Sequence, residues 1–303
     1  MSTDMQMKKI SMGGALAAMA LLACTAAWAQ SPPYGGPPGG APGGQAGPGG
    51  PGAPGGPPGG GPPGGGGPMM MGGSLPPGSP EPSPDPRNFD GGWRHDSELV
   101  FQNTKDMFGH KLPYTDAGRK VINRRVMSFK NGTPFINASS KCMPMGQPWQ
   151  MDLNMPWRIF QSKDRFDILF EEYHGYIQIL MDPSKAPSGA PAYMGTSVGQ
   201  WDGNTLVVET TGFKDDMWLD VDGTPASKNA KLTQRIRKVK AGDRWYLEDI
   251  FTLDDPTYYT RPWSWARDYA WHPDLTFFAE YNCELQTGAK GGLTPNLVPE
   301  PKD

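Results

Sequence analysis

The densest group of side chains able to move a proton is Glu171-Glu172-Tyr173-His174, at the end of the apolar run Ile168-Leu169-Phe170. On a strand successive side chains point to opposite faces, so Glu171 and Tyr173 share one side and Glu172 takes the other. A carboxylate turned into an apolar interior has its pKa raised by desolvation and becomes a general acid or base. The same residues also read as a solvated strand end with one structural hydrogen bond. Arg235 and Arg237 lie two apart on another predicted strand, opposite in facing to Gln234 and Ile236. Turned inward, Arg235 would hold a substrate carboxylate through two parallel hydrogen bonds. Turned outward, it would pair with Glu248 or Asp249 of the next strand.

Tyr193, Trp201, Trp218, Tyr258, Tyr259, Trp263 and Trp265 supply flat surfaces for stacking a planar or apolar ligand, or they fill a core. The four histidines, His95, His110, His174 and His272, show no H-x-H or H-E-x-x-H spacing, so no metal centre is expected. Gly195-Thr196-Ser197-Val198-Gly199 matches the string of a nucleophile elbow, but a hairpin follows where that motif needs a long helix. Phosphate-cradling and dinucleotide patterns are absent, and no cofactor is expected. Met69-Met70-Met71 with Met143, Met145, Met151 and Met155 would suit Cu(I) through thioethers; packing is the plainer role.

The elements that must position these groups are mostly strands. Trp157–Gln161, Phe166–Tyr173, Tyr176–Met181, Gly199–Trp201, Thr205–Thr210, Leu232–Lys240, Trp245–Leu253, Ser264–Trp271 and Leu275–Tyr281 are short apolar runs bounded by turn residues. Asp202-Gly203-Asn204 is a strong hairpin signal. With short links and no helices between strands, an all-parallel sheet is excluded. The expectation is mainly β: an antiparallel meander closing into a lipocalin-like barrel or curved sheet, with short N-terminal helices. Within Ser97–Arg125 two short helices or turns, joined at Leu112-Pro113-Tyr114, are expected.

Three zones follow from composition. Residues 1–29 carry Lys8 and Lys9, an apolar stretch from Ile10 to Trp28 and the small-x-small end Ala27-Trp28-Ala29, the order of a cleaved export signal. Leu21-Leu22-Ala23-Cys24 resembles a lipobox except at Leu22; processing there would place a lipid anchor on Cys24. Residues 30–87 are Gly/Pro-rich, lack a strict glycine period and cannot offset their ordering entropy by burial, so they read as a disordered linker. Residues 88–303 have ordinary globular composition and suffice for one core.

Beyond the signal segment no apolar stretch is long enough to span a bilayer. A net charge of −3 for the whole chain gives no electrostatic reason to expect nucleic acid or an anionic membrane as a partner. Removal of Cys24 with the signal leaves Cys142 and Cys283 in an oxidising compartment, periplasmic or extracellular, where a disulfide between them is expected. A two-thiol metal site lacks nearby histidines.

Gly199-Gln200-Trp201-Asp202-Gly203-Asn204-Thr205-Leu206-Val207-Val208-Glu209-Thr210 and Asp255-Pro256 followed by Thr260-Arg261-Pro262-Trp263 resemble a widespread family of secreted, largely uncharacterised bacterial proteins. The resemblance runs from about Cys142 to Glu284, paired cysteines included, and implies no assigned activity. It departs at Pro225-Ala226-Ser227 and Gln234-Arg235, where the family tends to carry His and Glu; an activity resting on those two residues would be lost or altered here.

Two functions fit these readings. One is a barrel that binds a small apolar or aromatic molecule and acts on it without cofactor by proton transfer, of lyase, decarboxylase or isomerase type, with Glu171, Glu172, Tyr173, His174 and Arg235 as the chemical groups and Tyr193, Trp201, Trp218, Tyr258 and Trp263 as the walls. The other is a tethered, non-catalytic module that binds a ligand or a protein.

Overall fold

The computed structural model describes residues 78–95, 103–153, 155–273, 275, 280, 281, 283 and 296–302. The signal segment with Cys24, the linker up to residue 77, the start of the expected first helix and most of the Leu275–Tyr281 run lie outside the described residues.

Strands β1 (Gly91–His95), β2 (Trp157–Gln161), β3 (Arg165–Phe170), β4 (Tyr176–Leu180), β5 (Thr196–Asp202), β6 (Thr205–Thr211), β9 (Lys231–Ala241), β10 (Arg244–Asp254) and β11 (Trp263–Trp271) close a barrel; a two-stranded piece, β7 (Met217–Trp218) with β8 (Pro225–Ala226), lies between β6 and β9 in the chain. Around the barrel the order is β1-β11-β10-β9-β6-β5-β4-β3-β2. The lipocalin-like barrel expected from alternation is present. Period-2 burial shows why: Leu247, Asp249, Phe251 and Leu253 of β10 are buried while their neighbours are not. The β5–β6 hairpin turns at Gly203, whose φ of +59° suits glycine.

The meander is broken at one seam. β4 and β5 run parallel and pair only at Ile179↔Ser197 and Leu180↔Val198. A parallel neighbour needs a crossover, and residues 181–195, with Pro183, Pro187 and Pro191, provide it as an irregular arch over the outside of the barrel.

The interior is filled by side chains. Trp93, Trp157, Phe166, Leu206, Phe251 and Tyr269 are essentially inaccessible and belong to one core cluster. Truncating a residue such as Trp157 to Ala would cost about 3–5 kcal/mol through lost burial and the cavity left behind. A smaller cluster forms around Phe135, Met145, Trp149 and Trp218.

Of the two expected pieces the second is a helix: α1 (Asp116–Lys130), the single α-helix among the described residues, starts after Pro113 and continues past Arg125. Thr115 caps it, its side chain accepting from the Gly118 amide at 3.1 Å, and Asp116 sits in its first turn. Gly118, Val121, Arg125 and Ser128 form its buried face. Residues 103–114 are turns and bridges instead. Residues 78–87, linker by composition, lie against the barrel: the Lys238 ammonium donates to the carbonyls of Ser83, Asp85 and Asn88, and Trp271 Nε1 donates to that of Pro80.

Candidate functional site at the parallel seam

Inside the barrel β9, β10 and β11 point polar groups at one another. Gln234 Nε2 donates to Asp249 Oδ2 at 2.8 Å. Arg267 donates from Nε to both oxygens of Asp152 at 3.1 Å and from Nη2 to Asn103 Oδ1 at 3.1 Å. Burial pushes Asp249 up to about 8; Gln234 and Arg267 oppose the rise and the Asp152 charge adds to it. Burial likewise raises Asp152 to about 6, with Arg267 pulling against it. At neutral pH the interior therefore holds one proton on Asp249 and one ion pair, Asp152 with Arg267. Asp152, Gln234, Asp249 and Arg267 line none of the surface cavities described below, so this network reads as the polar part of a closed core.

The Glu171–His174 group is not on a strand. β3 ends at Phe170, and Glu172–His174 form a 3-10 turn with Tyr173 and His174 at positive φ, 58° and 49°. The alternate facing expected for Glu171 and Glu172 is thereby corrected. Glu172 accepts from Tyr281 at 3.3 Å and burial raises its pKa, while Tyr173 bonds Ser139 at 2.8 Å; both contacts join the turn to segments flanking the disulfide. Glu171 is half-buried and His174 exposed. Arg235 points outward, to Asp202 on the β5–β6 turn at 2.7 Å, and Arg237 pairs with Glu248. An inward-facing Arg235 is corrected: the register places Leu232, Gln234 and Ile236 inside. Gln234 and Ala226, the two points of departure from the resembled family, are buried.

The aromatic candidates divide. Trp201 packs on Phe89 and Phe166, Trp218 stacks on Trp149, and Trp263 sits between Tyr259 and Trp265. These three are scaffold. Tyr258 borders a cleft of about 710 Å³ beside α1 and the segment 299–302. Tyr193 lies at the seam.

Where β4 and β5 stop pairing, a groove of about 320 Å³ opens. Met143, Pro144, Tyr176, Leu180, Pro191 and Met194 form apolar walls, and Tyr193 and Lys214 also border it. Met143 and Tyr176 are among the most exposed large apolar side chains, at 42% and 59%. The arch is tied to the end of β6 by Ala192 pairing with Phe213, which sets Lys214 over the Tyr193 ring at 4.8 Å from its centroid. Gln147 braces the floor, donating to the Met194 carbonyl at 2.7 Å. Among the described residues Lys214 has no carboxylate partner.

Behind the groove, the Tyr193 hydroxyl accepts from Lys141 Nζ at 2.8 Å and donates to Asp216 Oδ2 at 2.9 Å. Lys141 Nζ also lies 3.3 Å from Asp216, and Lys141 and Asp216 both line the larger cleft. Burial and the Asp216 carboxylate raise the Tyr193 pKa against the pull of Lys141, so the hydroxyl keeps its proton. Burial works against the Lys141 charge, but Tyr193 and Asp216 outweigh it and hold the ammonium above its usual value. Burial also opposes the Asp216 charge, and the contacts from Tyr193 and Lys141 prevail to lower it. The arrangement is a cation, a protonated phenol and an anion in contact, with Tyr193 bordering the apolar groove and the two charged groups lining the larger cleft.

Cys142–Cys283 form a disulfide, with Cα atoms 5.7 Å apart; Lys141 and Met143 flank Cys142 directly. Sequence reading finds Tyr193 but misses Lys141, Asp216 and Lys214. They come from three separate stretches of chain, and the usable signal was the position of Lys141 beside a pairing cysteine. Among the described residues no cluster of three or more His, Cys, Asp or Glu side chains is placed to hold a metal ion. No protein-family model matches the chain, and no curated protein matches it in sequence.

Proposed function

We propose that this barrel binds a small amphipathic molecule, with an apolar or aromatic body and an anionic group, in the groove at the β4–β5 seam. One observation carries the reading: an apolar groove of small-molecule size is bordered by an ammonium, Lys214, with no carboxylate partner among the described residues. The ligand body lies against Met143, Tyr176 and Met194, and its anionic group meets Lys214 near the Tyr193 hydroxyl. The filled interior favours this outer groove over the lumen. The disulfide and the N-terminal pattern support an extracytoplasmic location, and membership of the resembled secreted family belongs to the same proposal.

Calorimetric titration of arylcarboxylates against matched neutral aryl alcohols tests it. Carboxylates are expected to bind more tightly, and Lys214→Met is expected to lower their affinity about tenfold, the scale of one charge-assisted hydrogen bond, while sparing the alcohols. Equal affinity for both series, or none for either, overturns it.

The Lys141–Tyr193–Asp216 chain favours a second reading, in which the domain also acts on its ligand by acid/base chemistry. Tyr193 would deliver its proton to an oxygen on which negative charge develops, with Lys141 stabilising the phenolate left behind. Product formed by the native protein and lost in Tyr193→Phe with binding retained is the expected result. Binding without product identifies a non-catalytic module.

A further inference from the structure

We propose that the turn at residues 105–111 is a membrane-docking tip that recognises anionic phospholipid. Lys105 and Lys111 pair across its base, and Met107 N donates to the Ser264 carbonyl at 2.7 Å, fixing the turn to β11. Its hub is the Asp106 carboxylate, buried to 2% side-chain exposure. Oδ1 accepts from the amides of Phe108 at 3.0 Å and His110 at 2.9 Å; Oδ2 contacts His110 Nδ1 at 3.2 Å and Arg261 at 3.5 Å. Gly109, at φ +81°, makes the reversal that a side chain would resist.

This turn satisfies its own polar groups and directs its apolar residues into solvent. Phe108 is 74% exposed, the highest value among the exposed large apolar side chains, and Met107 is 44% exposed. Around them stand Lys105, Lys111 and Arg261, all exposed; the two lysines have no carboxylate partner among the described residues. Asp106, the acid within the turn, is consumed by it. A rigid loop with an aromatic tip loses little freedom when the tip enters a surface. A ring of cations at its base matches the negative face of a bilayer, where each lysine or arginine adds to the attraction. A neutral protein groove would leave those cations unsatisfied, so the charge selects the lipid surface.

The test uses the full chain with Cys24→Ser and Phe108→Cys, labelled at residue 108 with a polarity-sensitive dye; the same dye at Asp243→Cys on the exposed β9–β10 turn is the control. Vesicles of phosphatidylcholine with about one-third phosphatidylglycerol are expected to blue-shift the dye at 108 and leave the dye at 243 unchanged. Lys105→Glu with Lys111→Glu should lower apparent affinity about tenfold or more, and high salt should act in the same direction. No shift at 108, or an equal shift with pure phosphatidylcholine, overturns the proposal. Self-association in sedimentation velocity that Phe108→Ser abolishes would assign the tip to a second copy of the chain and overturn it as well.

Discussion

Asp249 in the barrel interior and Asp216 at the seam are the same residue type put to opposite uses. Burial with only an amide as partner keeps Asp249 protonated, whereas a hydroxyl and an ammonium hold Asp216 ionised despite partial burial. The interior network supports the fold, and its members meet each other. The seam network is half open, and Lys214 beside it has capacity to spare. A perturbed carboxylate marks a functional site only where a ligand can reach it.

The comparison can be broken first at Arg267. Replacing it with Met removes the charge that holds the buried Asp152 carboxyl down, so Asp152 must take up a proton at pH 7 and Asn103 loses its donor, with an expected loss of about 3 kcal/mol read from urea unfolding. An unchanged midpoint would mean that Asp152 is not the ion pair described. Removing the disulfide with Cys142→Ser and Cys283→Ser is expected to cost about 2–4 kcal/mol. Because Lys141 and Met143 flank Cys142, ligand affinity should also fall under conditions where circular dichroism shows the barrel intact.

Titration sharpens the contrast. Asp249 and Asp152 have folded pKa values raised above the ordinary 3.8, so the folded state holds their protons more tightly than the unfolded state. The resulting stability is complete below about pH 4 and is lost as pH rises, through about 6 for Asp152 and about 8 for Asp249. Each proton contributes a slope of up to about 1.4 kcal/mol per pH unit, and Asp249→Asn should flatten the portion above pH 6. A slope surviving that substitution would place the titration elsewhere. The smallest expected effect on stability is at the seam: Tyr193→Phe removes a buried hydroxyl bonded to Lys141 and Asp216 and should cost about 1 kcal/mol in thermal unfolding, its main consequence being for ligand binding or turnover.

Strand content was legible where one face is buried and the other wet. β9 and β10 alternate cleanly, and Asp202-Gly203-Asn204 marked the β5–β6 turn. β1 escaped notice because Gly91-Gly92-Trp93-Arg94-His95 is buried on both faces and carries no period-2 signal. Helix or turn was left open before Pro113 because Met107 and Phe108 mimic helical spacing; Asp106 organises a turn there. The two quoted motifs prove to be scaffold: one is the β5–β6 hairpin, and in the other Asp255 accepts from the Ser227 amide and hydroxyl and from the Thr257 amide. The seam was hidden for a different reason. Parallel pairing of β4 with β5 has no local code, and the side chains it gathers are remote in sequence.

The strand order also bears on how the chain reaches its native state. β1 sits between β2 and β11, with Trp93 opposite both Trp157 and Trp271, so among the described residues the first strand seals against the last. No cylinder can close while residues 263–271 are still being made. Until then the indole rings of Trp93 and Trp157 lack part of their cover, and contacts this distant in sequence form slowly. The nascent barrel is consequently an open, curved sheet with sticky edges, the form in which it most needs protection from its neighbours.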